Sequence, residues 1–225
     1  KDPSKNKIMI GITGTNGKTT IGFFVKQLLE KQGYSVSLIG TIYNEINGRR
    51  IQYVNTTPNA KVINQLLTAS TDQVVVMEVS SQGLEQDRLE GIQFDYALFN
   101  NLQHDHLDYH KSMEKYFLSK FRLFKFILNK KGLALINTDN IYGKKLKNLC
   151  LDNNIKNISY GKDKENDWQI LSAKKLKNST KVKFRKEKKI YEFECLLFAD
   201  FEIENLFCSM ILANITGISL VNILK

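Results

Sequence analysis

Short runs of β-branched and aliphatic residues alternate with longer stretches of helical period along the first two thirds of the chain. The runs are KIMIGIT (7–13), SVSLIG (35–40), QVVVMEVS (73–80), FDYALFNN (94–101) and GLALIN (132–137), and helical patterns fill 19–32, 60–69 and 112–128. Apolar strands separated by helices predict an α/β fold, a mainly parallel sheet flanked by helices. Within residues 41–55, Asn47-Gly48 stands between two strand-like runs. Both residues tolerate positive φ, so the pair predicts a type I′ hairpin projecting from the sheet.

After Lys162 the texture changes to short alternating runs, WQILSAKKL (168–176), KVKFRK (181–186) and KIYEFECLLF (189–198), separated by Lys-rich turns. They predict a small antiparallel flap over about 163–198, followed by a helix from about Ile203. Residues 206–224 are nineteen positions without a charge, nominally close to a bilayer span. Asn214, Thr216, Gly217, Ser219 and Asn222 interrupt them, and the reading is a buried helix, a turn and a short apolar segment rather than a membrane crossing.

The chain has 225 residues, 42% hydrophobic and 25% charged, which is enough to bury a core and excludes a disordered chain. Two prolines, 13 glycines and no repeat at a fixed period exclude collagen-like, low-complexity and solenoid architectures. The net charge of +10 raises the question of nucleic acid, but only five of the 33 basic residues are arginine, the usual reader of bases and phosphates. The lysines of the flap, from Lys174 to Lys189, lack interleaved aromatics or a recognition helix and read as a solvated face; no specific nucleic acid is expected. Cys150, Cys195 and Cys208 are odd in number and show no C-x-x-C spacing, which favours a reducing, cytoplasmic setting. The N-terminal KDPSKNK has neither a starting Met nor an apolar signal region, so a mature or excised piece is expected rather than an exported precursor.

Candidate chemistry begins at GTNGKTT (14–20), directly after the first strand and at the start of the first helix. A phosphate loop needs that setting. Its backbone N–H groups converge on phosphate, Lys18 adds a point charge, the helix N-terminus adds its dipole, and Thr19 offers a hydroxyl to Mg²⁺. The strict P-loop spacing fails, because Ile12 stands where its first glycine belongs. Glu78 closes the apolar run VVVMEV, a position that points a carboxylate into the crevice where open α/β sheets bind ligands. Read on their own, Ser80 is a turn or helix-capping residue and Arg88 a surface charge. His104, His106 and His110 fall within seven residues together with Asp105 and Asp108, a grouping suggestive of zinc. No cysteine or E-x-x-H helix completes a zinc site, and none is expected.

GTNGKTT, NTTP, MEVSSQGLEQDR, NNLQHDHLDYH and YFLSKFRLF, in this order and at these separations, resemble the central ATP-binding domain of the Mur ligases over nearly the whole chain. The resemblance implies that residues 1–225 form that middle domain, and that the family's N-terminal uridine-binding and C-terminal amino-acid-binding domains have no counterpart here. It implies ATP-dependent amide bond formation through an acyl phosphate, adding the third amino acid to UDP-MurNAc-dipeptide in bacterial peptidoglycan synthesis. The implied partners are UDP-MurNAc-peptide and an amino acid, and the implied state is a cytoplasmic monomer without a membrane contact.

Residue by residue, the resemblance places Gly14, Thr15, Asn16, Gly17, Lys18, Thr19 and Thr20 at the nucleotide, with Asn205 of FEIENLF at the adenine. Thr19, Glu78, His106 and Lys120 are implied at Mg²⁺, Lys120 as the lysine that the family carbamylates with CO2, and Lys18, His106 and Lys120 as the catalytic set. Asn55, Thr56, Thr57, Ser80, Gln86 and Arg88 match positions that hold the muramoyl-peptide. The sequence departs from the family at Gln82, where His is usual, and at Asp200 and Glu202, where Gly and Asn are common; His104 stands at a variable position. Folylpolyglutamate synthetases and the ligase half of cyanophycin synthetases share the phosphate-loop style, and a non-catalytic nucleotide- or nucleic-acid-binding module is the alternative outside the enzymes. Glu78, His106 and Lys120 together argue against such a module, because a bare binder needs the loop alone.

Overall fold

The computed structural model describes residues 2–224. Its strands are β1 (Ile8–Thr13), β2 (Val36–Ile39), β3 (Asn44–Ile46), β4 (Arg49–Ile51), β5 (Val74–Glu78), β6 (Phe94–Phe99), β7 (Leu128–Asn137), β8 (Asn157–Gly161), β9 (Trp168–Lys175), β10 (Thr180–Lys186) and β11 (Lys189–Cys195). The helices are α1 (Lys18–Glu30), α2 (Ala60–Ala69), α3 (Ser81–Glu85), α4 (Leu107–His110), α5 (Met113–Arg122), α6 (Ile141–Asp152), α7 (Asp200–Ile215) and α8 (Leu220–Ile223). All the strands join one sheet, in the order β11-β10-β9-β8-β7-β6-β1-β5-β2-β3-β4. The pairings from β9 through to β2 are parallel, and the two outermost pairings at either edge are antiparallel.

Side chains alternate across the sheet with the strand period of two. Met9 of β1 and Val75 and Met77 of β5 face one core, closed by Ile63 and Leu67 of α2, Phe117 of α5 and Leu146 of α6. Ile10, Ile12, Val74 and Val76 face the other, closed by Ile21, Val25 and Leu29 of α1 and by Phe207 and Ile211 of α7. Helices on both faces leave the C-terminal ends of the parallel strands open. From β1 the chain runs to β2 on one side, and from β6 to β7 on the other, so the ends of β5, β1 and β6 border the crevice at which such sheets bind ligands.

The expected antiparallel strands at 163–198 are β9–β11, and they prolong the main sheet because β9 pairs in parallel with β8, Tyr160 opposite Trp168. Asn47 (φ 52°) and Gly48 (φ 73°) turn the β3–β4 hairpin as a type I′ turn, which extends the opposite edge through the Leu38–Glu45 pair. The helix expected over 112–128 ends at Arg122. A π-helical turn, Leu123–Ile127, follows, and Leu128 is already strand because it pairs with Phe94. The helix expected from about Ile203 begins at Asp200, where the Glu202 carboxylate accepts from the Ala199 N–H at 3.2 Å. The unexpected Glu202 therefore caps its own helix. Residues 206–224 follow the expected course of buried helix, turn and short apolar piece, and no helix among the described residues is long and apolar enough to cross a membrane.

Candidate active site

The loop from Gly14 to Gly17 crosses from β1 to α1 and is tied to the strand beside it. Thr15 N–H donates to the Asn101 carbonyl and the Asn16 N–H to Asn101 Oδ1, at 3.0 and 2.9 Å. Gly17 has φ 88°, and a Cβ there would stand 2.7 Å from Asn100 Nδ2 and from Asn205 Oδ1, so both its conformation and its neighbours require glycine. Asn100 donates to Asn205 Oδ1 at 3.2 Å and accepts from the Tyr160 hydroxyl at 2.9 Å. Asn205 is thereby fixed beneath the loop. A cavity of about 610 Å³ opens beside it, lined by Asn16, Gly17, Thr20, Asn137, Asp139 and Asn205 among others.

Two lysines converge on the same backbone oxygen. Lys18 Nζ donates to the carbonyls of Gly14 and Thr15 at 3.0 Å, and Lys120 Nζ to Gly14 O, also at 3.0 Å. Burial lowers the pKa of Lys18 against the opposing charges of Glu78 and Asp105. Lys120 is 1% exposed, and its pKa is driven well below the usual lysine value by burial first and by Lys18 second, with Asp105 opposing. Its amine also lies 4.6 Å from the centroid of the Tyr116 ring. Tyr116 is the hub of this corner: its hydroxyl lies 3.2 Å from Thr15 Oγ1, His110 stacks on its ring at 4.8 Å, and His106 approaches edge-on at 6.0 Å. His106 is placed by a left-handed backbone (φ 52°) ahead of α4 and lies 3.5 Å from Asp105. Neither Tyr116 nor Asn100 was singled out from sequence.

Glu78, 1% exposed at the end of β5, accepts from the Thr19 hydroxyl at 2.9 Å. Its two oxygens also accept from Thr41, Oε1 from the N–H and Oε2 from the hydroxyl, both at 2.9 Å. Thr57 stands behind it: its hydroxyl donates to the Glu78 carbonyl and accepts from the Ser80 N–H, each at 2.9 Å. Arg88 is half-buried rather than a free surface charge, and donates to the Thr57 carbonyl at 2.7 Å and to Gln86 Oε1 at 2.6 Å. Gln86 reaches the Tyr109 hydroxyl at 3.2 Å. Ser80 caps α3 by accepting from the Gly83 N–H at 3.1 Å. Of the six residues matched to the muramoyl-peptide, Thr57, Ser80, Gln86 and Arg88 form one connected wall and Thr56 joins it through Thr41. Asn55 is exposed, and no side-chain hydrogen bond ties it to the wall among the described residues.

Comparison with known proteins matches residues 12–213 to the Mur ligase middle domain. The UDP-N-acetylmuramoyl-L-alanyl-D-glutamate--2,6-diaminopimelate ligase of Caldanaerobacter subterraneus subsp. tengcongensis is 36% identical over 225 residues, 97% of this chain and 45% of that protein. A solved structure of a ligase of the same name superposes with a TM-score of 0.84 at 28% identity, covering 98% of this chain and 45% of the other. The MurF ligase from Thermotoga maritima, solved in complex with ADP, superposes with a TM-score of 0.77 at 16% identity, a likeness of fold, over 98% of this chain and 48% of that one. The chain spans less than half the length of these relatives.

Proposed function

The chain belongs to the Mur ligase family, as its middle domain, and from that premise we propose that it binds ATP and drives addition of the third amino acid to UDP-MurNAc-dipeptide. The relatives' name specifies diaminopimelate as that amino acid. In the reaction the dipeptide carboxylate attacks the γ-phosphorus of ATP, giving an acyl phosphate and ADP. The amine of the incoming amino acid then attacks the acyl carbon, forming the amide and releasing phosphate and a proton.

Each part of the site has a task in that scheme. The N–H groups at the start of α1 and the Lys18 ammonium cradle the phosphates, and the cavity beside Asn205 receives the base. The wall from Thr56 to Arg88 faces the same crevice from the β5 side and positions the dipeptide, so that attack becomes effectively intramolecular. Thr19 and Glu78 offer hard oxygen donors in contact with each other, a set that suits Mg²⁺ and not a soft metal. Three hydrogen bonds occupy the Glu78 carboxylate, which leaves lone-pair capacity for a cation. Mg²⁺, when bound, neutralises phosphate charge and aligns the γ-phosphoryl group. His106, edge-on to Tyr116, is the further donor that this reading assigns to the metal. Lys120 as an ammonium would oppose the metal. Burial and Lys18 push it toward the uncharged amine, the form that adds CO2, and the resulting carbamate would supply oxygen donors.

The observation that carries this reading is the convergence of Lys18, Lys120 and the Thr19–Glu78 pair around one loop. Identity of 36% to a diaminopimelate ligase over nearly the whole chain favours this branch over folylpolyglutamate or cyanophycin ligases. The complete enzyme, given ATP, Mg²⁺, UDP-MurNAc-dipeptide and diaminopimelate, is expected to form tripeptide and phosphate in equal amounts. Lys18→Ala should lower both by about 100-fold or more, and an unchanged rate in that variant would overturn the assignment.

A further inference from the structure

Glu78 is held from outside the phosphate loop as well as from within it. β2 lies next to β5 in the sheet, so the turn that ends β2 reaches the carboxylate at the end of β5. Gly40 comes so close that a Cβ at that position would stand 2.2 Å from Glu78 Oε1 and 2.9 Å from its carboxyl carbon. Its backbone is pinned in turn by the Gly40 N–H, which donates to Asn44 Oδ1 at 3.2 Å. Thr41 then engages both carboxylate oxygens at 2.9 Å. On its other side the Thr41 hydroxyl shares a 3.0 Å hydrogen bond with the Thr56 hydroxyl. Thr41 itself is exposed, so no demand of the core places a hydroxyl there.

We propose that Gly40 and Thr41 form a carboxylate clamp that aims Glu78 at the magnesium–nucleotide and couples it to the Thr56 side of the substrate wall. The inference rests on the reading of Glu78 as a magnesium ligand. A carboxylate carried by one side chain at a strand end has freedom about its χ angles, and a ligand held to about half an ångström of its working position needs partners that fix it. The Thr41 N–H and hydroxyl span the two oxygens and set the plane of the carboxylate, while glycine at position 40 leaves the room that this plane requires. Thr41 is a positioning residue, since it acts through Glu78. A Thr56 displaced by an arriving substrate carboxylate would pull on the same hydroxyl that orients the metal ligand, which links occupancy of the two halves of the crevice.

The test is the Mg²⁺ dependence of ADP binding, measured by titration calorimetry as the ratio of dissociation constants without and with Mg²⁺, in wild type and in Thr41→Val, Thr41→Ser, Gly40→Ala and Glu78→Gln. Thr41→Val keeps the shape and removes the hydroxyl. It is expected to cut the ratio about tenfold, the scale of one hydrogen bond to a charged group, while leaving metal-free ADP affinity unchanged. Thr41→Ser should restore the wild-type ratio, and Gly40→Ala should cut it by displacing Glu78. Electron paramagnetic resonance of bound Mn²⁺ should show an altered coordination signature in Thr41→Val and the wild-type signature in Thr41→Ser. A wild-type ratio and Mn²⁺ signature in both Thr41→Val and Gly40→Ala, with the ratio lost in Glu78→Gln, would overturn the clamp alone. A wild-type ratio in Glu78→Gln would overturn the metal reading and the clamp with it.

Discussion

Two ammonium groups on one carbonyl oxygen repel each other, and burial removes the water that would screen them. Gly14 O receives both Lys18 and Lys120, and the one shielded most completely from solvent, Lys120, is where the ammonium is most disfavoured. On the proposed reading, this shift favours the uncharged amine, the form that adds CO2. Lys120→Ala in the complete enzyme is expected to lose activity by about 100-fold or more and to recover part of it with formate or acetate standing in for the carbamate. Carbon-13 NMR with labelled bicarbonate should show one carbamate signal in wild type and none in the variant. Normal activity in Lys120→Ala, with no such signal in wild type, would retire the modification. Lys120 stood out in the sequence only through the resemblance, because one lysine on an amphipathic helix looks like its many neighbours until the fold buries it. Thr41, Asn100 and Tyr116 gave no local signal at all: each matters through a partner more than thirty residues away.

At the scale of elements, α1 is tied to the β3–β4 hairpin by charge. Glu45, buried in β3, accepts from Arg50 at 3.1 Å and pairs with Lys26 of α1 at 3.0 Å. Burial works against its ionisation, but hydrogen bonds and charge from Lys26 and Arg50 outweigh it and hold the carboxyl below its ordinary 4.5. Lys26 is raised in its turn: burial opposes the ammonium, and Glu30 and Glu45 overcome it. A lowered carboxyl stabilises the fold above its ordinary value and loses that contribution as pH falls through the folded value; a raised lysine loses its share only as pH climbs past 10.5. Thermal stability should therefore fall on acidification below about pH 4.5, and Glu45→Gln should flatten that fall. The same variant is expected to lower the melting temperature at neutral pH by about 2–4 °C, for a loss of about 1 kcal/mol. An acid limb identical to wild type, followed by circular dichroism, would contradict the tie.

The same scale shows what periodicity could and could not give. Strands β1, β2, β5, β6 and β7 were legible because each carries an apolar run bounded by breaks, and the hairpin because Asn47-Gly48 suits its turn and almost nothing else. Helix α6 and strand β8 were not. Lys144, Lys145 and Lys147 dilute the buried stripe of α6 to Leu146 and Cys150, and β8 is a five-residue strand without a continuous apolar run. The π-helical turn after Arg122 was hidden for the opposite reason: LFKFI continues the apolar pattern of α5, and only the pairing of Leu128 with Phe94 ends the helix there.

For the whole molecule, one continuous sheet with a core on each face supports a single cooperative unit, so the 225 residues should fold alone. Turnover is another matter, because the chain covers under half of its relatives. On the proposed reading, uridine anchoring and amine delivery fall to the family's other domains, so the isolated chain is expected to bind ATP weakly and to make negligible tripeptide. Robust tripeptide formation by the chain on its own would place those tasks within the sheet extension or α7. On the proposed reading, this site joins phosphate to the substrate carboxylate before the amide forms. The direct measurement uses UDP-MurNAc-dipeptide labelled with ¹⁸O at both oxygens of its reacting carboxylate, with the released phosphate read by phosphorus-31 NMR in the complete enzyme. One ¹⁸O is expected in each phosphate formed, because the oxygen that attacks phosphorus leaves with it; phosphate free of label alongside normal tripeptide would contradict the acyl phosphate and the role given to this domain.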